Sequence, residues 1–138
     1  MMLVADLNEL QMHPVADRGV PNLERIAIYV KEPTNMGQYG IMVGLSALGA
    51  AAIPYQDNLF WFGDGVMNAG DWILLYTGKG TPRTEDWKPT GGKVYSLHWG
   101  RSKTMFANTN IVPILFRVDA VDLAAPPQDL PQIGNEGA

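Results

Sequence analysis

The chain has 138 residues, of which 46% are hydrophobic, and a chain of this length predicts one domain with a sizeable core. It contains no cysteine, which excludes disulfide bonds, thiolate metal sites and a cysteine nucleophile. Only 17% of the residues are charged, against about 25% in an average domain, so we expect a partner or further copies of the chain to cover part of the surface.

The first 22 residues show no clear hydrophobic period. Pro14 and Pro21 leave room for at most a short helix, so we expect an N-terminal arm over residues 1–22. This segment lacks the basic start of a secretory signal peptide. No apolar run reaches the roughly 20 residues that span a bilayer, which argues against a membrane partner. We therefore expect a soluble protein of the cytoplasm or of a virion.

The middle of the chain alternates apolar and polar residues, which is the period of a half-buried strand. The high content of glycine and proline favours short elements joined by turns. We predict an all-β sandwich or barrel of six to eight short strands over residues 23–123, followed by a proline-rich, extended tail over residues 124–138. Strands are expected at residues 24–31, 39–44, 58–62, 72–77, 93–99, 103–108 and 113–121.

The pattern also predicts how these strands are placed. Residues 72–77 are apolar on both faces, which predicts a central strand. Residues 46–54 combine helix-favouring alanines with Gly49 and Pro54, so helix and loop both stay open there. The alternation assigns ten side chains to the core: Ile26, Ile28, Ile41, Val43, Phe60, Ile73, Leu75, Leu97, Ile114 and Phe116.

The stretch "DWILLYTGKGTPRT" over residues 71–84 is the first candidate for chemistry. A Walker phosphate loop needs a glycine five residues before Gly78, where the sequence has Ile73. A dinucleotide-binding loop needs a third glycine where Arg83 stands. The residues that follow are rich in helix breakers, so no helix N-terminus is available for a phosphate. We interpret the stretch as a loop between two strands.

Other residues that carry chemistry are sparse. His13 has no neighbour at metal-ligand spacing, and two histidines without cysteine argue against a zinc site. His98 shares a strand face with Ser96, but no nucleophile elbow surrounds that serine, so we interpret His98 as a half-buried structural residue. Three aspartates spaced by seven fall in predicted turns: Asp57, Asp64 and Asp71. We predict no catalytic residue, no metal site and no cofactor, and hence no enzyme.

The net charge of −4 is distributed unevenly. Residues 79–103 contain six of the ten basic residues and two acidic ones, so this segment carries +4. Cations and aromatic rings interleave there, as on surfaces that stack bases and neutralise phosphates, although a pI near 5.0 favours a solvated loop face. This basic-aromatic segment is the candidate surface for a ligand or partner, and it comprises Lys79, Arg83, Trp87, Lys88, Lys93, Tyr95, Trp99, Arg101 and Lys103.

The order of the strands over about residues 20–119 carries a family resemblance. "ERIAIYV" precedes "YGIMVG", an aromatic strand leads through a glycine turn to "AGDWILLYTG", and "VYSLHWGRSKTMFANTN" follows. This order resembles the lamin-tail-like group of immunoglobulin-like β-sandwiches, and Gly70, Asp71 and residues 73–75 match the strand start of that group. The resemblance implies an immunoglobulin-like fold and an interaction module without catalytic residues, of the kind fused to enzymes or built into filaments and envelopes.

Low surface charge, two arms and the edges of a sandwich together indicate a structural or adaptor module. We therefore expect a non-catalytic role in a larger assembly, through protein partners or self-association, and a phage virion component and a subunit of a cellular complex both fit. The alternative is binding of single-stranded nucleic acid or of another anion through residues 79–103.

Overall fold

The computed structural model describes residues 7–46 and 53–125 of the chain. Their regular secondary structure is strands in an all-β, sandwich-like arrangement, apart from one 3-10 turn at Met36–Gln38. In chain order the strands are β1 (Leu10–Met12), β2 (Arg25–Val30), β3 (Thr34–Asn35), β4 (Tyr39–Leu45), β5 (Ile53–Trp61), β6 (Val66–Met67), β7 (Trp72–Tyr76), β8 (Arg83–Trp87), β9 (Gly92–His98) and β10 (Ile111–Arg117).

The larger sheet has five strands in the order β1-β2-β7-β9-β8. Its neighbours are antiparallel except β7 and β9, which run parallel with Ile73 opposite Tyr95. The central position of β7 confirms the prediction from its two apolar faces. A parallel pair needs a long connection, and here that connection passes through β8, which pairs with the far side of β9.

The smaller sheet has three antiparallel strands in the order β10-β4-β5. β4 is its central strand, and its Ile41 lies opposite Leu115 on one side and Phe60 on the other. The short strands β3 and β6 form a separate two-stranded ladder.

One hydrophobic core joins the two larger sheets. Nine of its eleven buried members come from β1, β2, β4 and β7, and Met36 and Phe106 complete it. Of the ten side chains predicted to point inward, Ile26, Ile28, Ile41, Val43, Ile73 and Leu75 are buried, and Phe60 and Leu97 are partly buried against the core.

The inward assignment is wrong for Ile114 and Phe116. Both belong to the face of β10 that carries Met42 of β4, whereas Leu115 lies opposite the buried Ile41 and packs against the core. The reason is that β10 is apolar at successive positions, so alternation cannot decide which face is buried. Arg117 shares the face of Leu115, and its long side chain carries the guanidinium out to Glu9.

The strand positions need three further corrections. Residues 103–108 form no strand, although one was predicted there. The loop predicted between two strands within residues 71–84 is found at residues 77–82, but Arg83–Trp87 directly after it forms β8, because pairing with β9 outweighs its polar composition. Within the described ranges the strands number ten rather than six to eight, since β1, β3 and β6 are too short to show a period.

The structure differs from the prediction at the N-terminal end of the domain. Residues 1–22 were expected to be an arm, yet β1 pairs with β2 and Leu10 is buried in the core. Of the ambiguous residues 46–54, those at 47–52 lie outside the described ranges, as do residues 126–138 of the predicted tail. Within the described part of the chain, no helix is long and apolar enough to cross a membrane.

Candidate functional site

The fold divides the basic-aromatic segment into three groups. Lys79, Arg101 and Lys103 converge on one cleft at the end of the β7–β9 pair. A second group lies on the exposed edge formed by β8 and the start of β9. The remaining aromatic residues, Tyr95 and Trp99, contact the interior.

The first group surrounds a cleft of about 560 Å³ that we call the cationic cleft. Its cations are accompanied by hydroxyl and amide side chains. A depression of about 460 Å³ continues from it and shares Lys79, Arg101, Ser102, Lys103 and Thr104 with it. The full lining of the cleft is Pro21, Asn22, Thr77, Gly78, Lys79, Arg101, Ser102, Lys103 and Thr104.

The two walls of the cationic cleft are joined by backbone hydrogen bonds. The amide of Gly100 donates to the carbonyl of Gly78 at 3.0 Å, and the amide of Arg101 donates to the carbonyl of Thr77 at 2.9 Å. These bonds extend the parallel pairing of β7 and β9 beyond the end of the sheet. The guanidinium of Arg101 also donates to Oδ1 of Asn58 at 2.5 Å, which orients it.

A buried carboxylate holds the base of the cleft. Glu24 is 1% exposed, and its oxygens accept hydrogen bonds from the hydroxyl of Thr77 at 2.8 Å and from the amides of Met105 and Phe106 at 2.6 and 3.0 Å. It accepts a further bond from the amide of Gly19 at 2.7 Å. Because Thr77 belongs to one wall and Met105 follows the other, this side chain fixes their separation.

A second anchor holds the loop that continues from the cleft. The guanidinium of Arg18 donates to the carbonyls of Phe106 at 3.1 Å and Ile111 at 2.9 Å, and lies 6.0 Å from the centre of the Phe106 ring. Phe106 itself is fully buried. Sequence reasoning missed both anchors, since a glutamate and an arginine near the start of the chain carry no local signal of a loop 80 or more residues away.

The cations of the cleft carry no carboxylate partner among the described residues. The four ion pairs found there join Arg25 to Asp17, Lys93 to Asp86, and Arg117 to Glu9 and Asp119. No ion pair within this part of the protein therefore neutralises these cations, and the buried carboxylate of Glu24 at the base of the cleft is engaged in hydrogen bonds.

The second group lies on the edge strand. Arg83, Trp87 and Lys88 are exposed, and Trp87 is 41% exposed. Lys93 donates to Asp86 at 2.9 Å, and this hydrogen bond raises the pKa of the lysine. Trp87 is thus the one ring of the basic-aromatic segment that is exposed on the described surface.

Trp99 and Tyr95 do not join a stacking surface. The Trp99 ring is 5.7 Å from that of Phe60 and packs against the core. Tyr95 lines a small cavity of about 160 Å³ together with Leu97 and Ile73. The interleaving of cations and rings in the sequence therefore does not produce interleaving on the surface.

The outer face of the five-stranded sheet carries both histidines beside aromatic rings. The Trp72 ring lies 5.0 Å from His13 and 5.0 Å from Tyr29. His98 stacks on Tyr76 at 5.3 Å, and its Nδ1 atom is buried with no hydrogen-bond partner in the described region. The half-burial predicted for His98 is confirmed.

The three aspartates have separate structural positions. Asp71 is buried and accepts hydrogen bonds from the amides of Lys93 and Asn68. Asp57 lies within β5 at a φ of 59°, so its assignment to a turn is wrong. In residues 7–46 and 53–125, no three His, Asp or Glu side chains come together to hold a metal ion.

The three-stranded sheet has an outer surface of a different kind. Its side chains fall in three rows across β10, β4 and β5: Phe116, Gly40 and Trp61; Ile114, Met42 and Leu59; Val112, Gly44 and Pro54. The Trp61 and Phe116 rings are 6.2 Å apart across Gly40, where a Cβ atom would lie 2.6 Å from Cζ of Phe116. None of these nine positions has a polar side chain. We call the six large side chains of these rows, Met42, Leu59, Trp61, Val112, Ile114 and Phe116, the outer apolar face.

A polar cluster joins the two sheets at one end. The Tyr39 hydroxyl donates to the carboxylate of Glu9, which also accepts from Arg117 at 2.8 Å. The Tyr39 hydrogen bond is the main cause that lowers the pKa of Glu9 to about 2. Burial, followed by the bond to Glu9, raises the pKa of Tyr39 to about 12. Glu9 precedes β1 whereas Tyr39 and Arg117 belong to the smaller sheet, so the cluster links the layers.

No protein-family model, no curated protein and no solved structure matches the chain. The resemblance to the lamin-tail-like group therefore stays a prediction that rests on the residues quoted for it. The outer apolar face and the cationic cleft are the two candidate functional surfaces of the described residues.

Proposed function

We propose that the chain is a non-catalytic assembly module that associates with a second copy of itself through the outer apolar face. The observation that carries this proposal is the composition of this surface, since the nine positions of its three rows contain no polar side chain. Leu59 and Trp61 are 55% and 46% exposed. Contiguous apolar surface of this kind marks interaction sites, because its burial removes apolar area from water.

A second copy is the partner that suits this face. A two-fold symmetric interface places the same patch of both copies in contact, so the patch must be complementary to itself. An uncharged face meets this requirement, because packing two of them together creates no like-charge repulsion. Two sheets packed face to face lie about 10 Å apart with roughly aligned strands. In such a dimer the two three-stranded sheets form a new apolar layer, with the five-stranded sheets outside.

The size of the face limits the strength of the association. Three strands of about seven residues cover roughly 14 by 23 Å. A standard stable complex buries about 800 Å² on each partner. The sheet alone supplies less than this, so we expect a reversible dimer whose population depends on protein concentration.

The test compares two exposed apolar residues, each replaced by lysine. Leu59 belongs to the outer apolar face, whereas Val66, which is 65% exposed, lies on β6 outside it. Sedimentation velocity is measured over a wide range of protein concentration. We expect the wild type and Val66→Lys to shift from monomer to dimer together, and Leu59→Lys to stay a monomer.

Two outcomes contradict the proposal. One is a wild-type chain that is a monomer at every concentration, and the other is a Leu59→Lys variant that dimerises like the wild type. Thermal unfolding of each variant serves as the control for folding. An exposed substitution changes the stability of the monomer by only about 0.5 kcal/mol, so lost association would not reflect an unfolded protein.

The same assembly module would fit a virion or a cellular complex, and both assignments stay predictions.

A further inference from the structure

We propose that the cationic cleft is a binding site for a polyphosphate group, either a free polyphosphate or the phosphate chain of a nucleotide. This inference is independent of self-association through the outer apolar face. Lys79, Arg101 and Lys103 line the cleft, and none of them is in an ion pair within the described ranges. Three cations without a carboxylate partner attract an anion that carries several charges.

The donors around the cleft suit phosphate oxygens. The guanidinium of Arg101 uses one nitrogen for Asn58, and its planar fork has five N–H donors in all. Ser102 and Thr104 add hydroxyl groups, and Asn22 adds an amide. Phosphate oxygens accept such charge-assisted bonds strongly, and an arginine can engage two of them at once.

The cleft is built before any ligand arrives. Backbone bonds join Gly78 to Gly100 and Thr77 to Arg101, and the buried Glu24 ties Thr77 to the amides of Met105 and Phe106. Because the walls are already held, an anion does not have to order two loops when it binds, and preorganisation of this kind strengthens binding.

Size and lining select the phosphate part of a ligand rather than a base. A volume of about 560 Å³ exceeds the needs of a single phosphate and lies within the range of small-molecule sites. Of the described residues that line the cleft and its continuation, none is aromatic. Binding of single-stranded nucleic acid depends on rings that stack on bases, so the cleft favours a compact polyphosphate over a strand.

The first experiment measures binding by calorimetry at low ionic strength with tripolyphosphate, ATP, adenosine and a single-stranded oligonucleotide. We expect tripolyphosphate and ATP to bind, adenosine not to bind, and both affinities to fall as salt is added. Equal affinity identifies free polyphosphate as sufficient, whereas tighter binding of ATP identifies a nucleotide as the source of the phosphates. No binding of tripolyphosphate or ATP overturns the proposal, as does an oligonucleotide that binds more tightly than both and loses affinity in Trp87→Ala.

Variants then locate the site. Lys79→Ala and Lys103→Ala should each weaken tripolyphosphate binding about tenfold, because each removes a charge-assisted bond. The matched control is Lys88→Ala, an exposed lysine of the same sequence segment that lies outside the cleft. These lysines are exposed, so their replacement leaves the Arg101–Asn58 bond and the fold in place. Equal loss in Lys88→Ala, or no loss in the two cleft variants, overturns the assignment.

A spectroscopic measurement separates local binding from general attraction. Addition of tripolyphosphate should shift the amide resonances of residues 77–79 and 100–104 and leave those of β8 unchanged. Shifts spread over all exposed cations would contradict a defined site.

Discussion

The outer apolar face lies on regular strands, whereas the cationic cleft lies between two loops. The face requires only that β10, β4 and β5 pair in their observed register, because alternation then brings like side chains to one side. The cleft requires two loops at a fixed separation, and that separation depends on the buried Glu24. Loss of the buried Glu24 contacts should therefore alter the cationic cleft and leave the outer apolar face intact. Loss of a core side chain should destabilise the whole fold and with it both surfaces.

Two neighbouring positions in β4 should give the largest difference in the free energy of unfolding. Ile41 is fully buried, whereas Met42 lies on the outer apolar face. Ile41→Ala should lower the free energy of unfolding by about 4 kcal/mol through lost burial and a cavity, and Met42→Ala by about 1 kcal/mol. Urea denaturation of the two variants measures both values. Equal losses would contradict the assignment of inner and outer faces.

The cluster between the two sheets makes stability depend on pH. The pKa of Glu9 falls from an ordinary 4.5 to about 2 on folding, so its stabilisation is complete above pH 4.5 and is lost as the pH falls through 2. Because this carboxylate is partly exposed, solvent screening keeps its contribution below the roughly 3 kcal/mol to which the full shift would correspond. The pKa of Tyr39 rises from 10.0 to about 12, so its contribution is complete below pH 10 and is lost as the pH rises through 12.

Denaturation as a function of pH tests this link with one variant. Glu9→Gln should flatten the loss of the free energy of unfolding between pH 4.5 and 2, because the titrating group is gone. It should also lower stability at neutral pH, where the carboxylate accepts bonds from Tyr39 and Arg117. If the free energy of unfolding of Glu9→Gln fell with decreasing pH as steeply as that of the wild type, other carboxylates would cause the loss of stability in acid.

Substitution of Glu24 should affect the cationic cleft and leave the outer apolar face unchanged. Glu24→Gln replaces one accepting oxygen by an amide that faces donors, which should cost about 2 kcal/mol of stability and weaken tripolyphosphate binding. Self-association should be unchanged at temperatures where the variant stays folded. Glu85→Gln on the exposed edge strand is the control, with an expected change within about 0.5 kcal/mol. If Glu24→Gln lost dimerisation but kept tripolyphosphate binding, the assignment of Glu24 to the cleft would be contradicted.

Gly80, which follows the cleft residue Lys79, gives the smallest expected effect and probes the contact with His98. A Cβ atom there would lie 2.5 Å from Nδ1 of His98, whose ring is held by its stack on Tyr76. Gly80→Ala should therefore cost about 1 kcal/mol and shift the His98 ring resonances. Gly65→Ala, where a Cβ atom meets only Met67 at 3.7 Å, should be nearly neutral. Equal stability of the two variants would contradict the close approach at Gly80.

The sequence predicted those strands in which one face is apolar and the other polar. β2 and β4 were predicted at nearly their observed bounds, and six of the ten assigned core side chains are buried. The prediction failed where a strand has no such contrast. β10 is apolar on both faces, so the face that meets the core depends on its pairing with β4. β8 is polar except for Trp87 and is a strand only because β9 lies beside it.

The sequence by itself determined the fold class and the presence of a basic segment, because period-2 alternation and local charge are properties of neighbouring residues. Only the tertiary structure decided which cations act together. Lys79 and Lys103 meet at the cleft because Glu24 binds Phe106, 82 positions further along the chain, and the same folding turns Trp99 inward. Contacts between distant positions are set by the packing of the two sheets, and no local pattern in the chain records them.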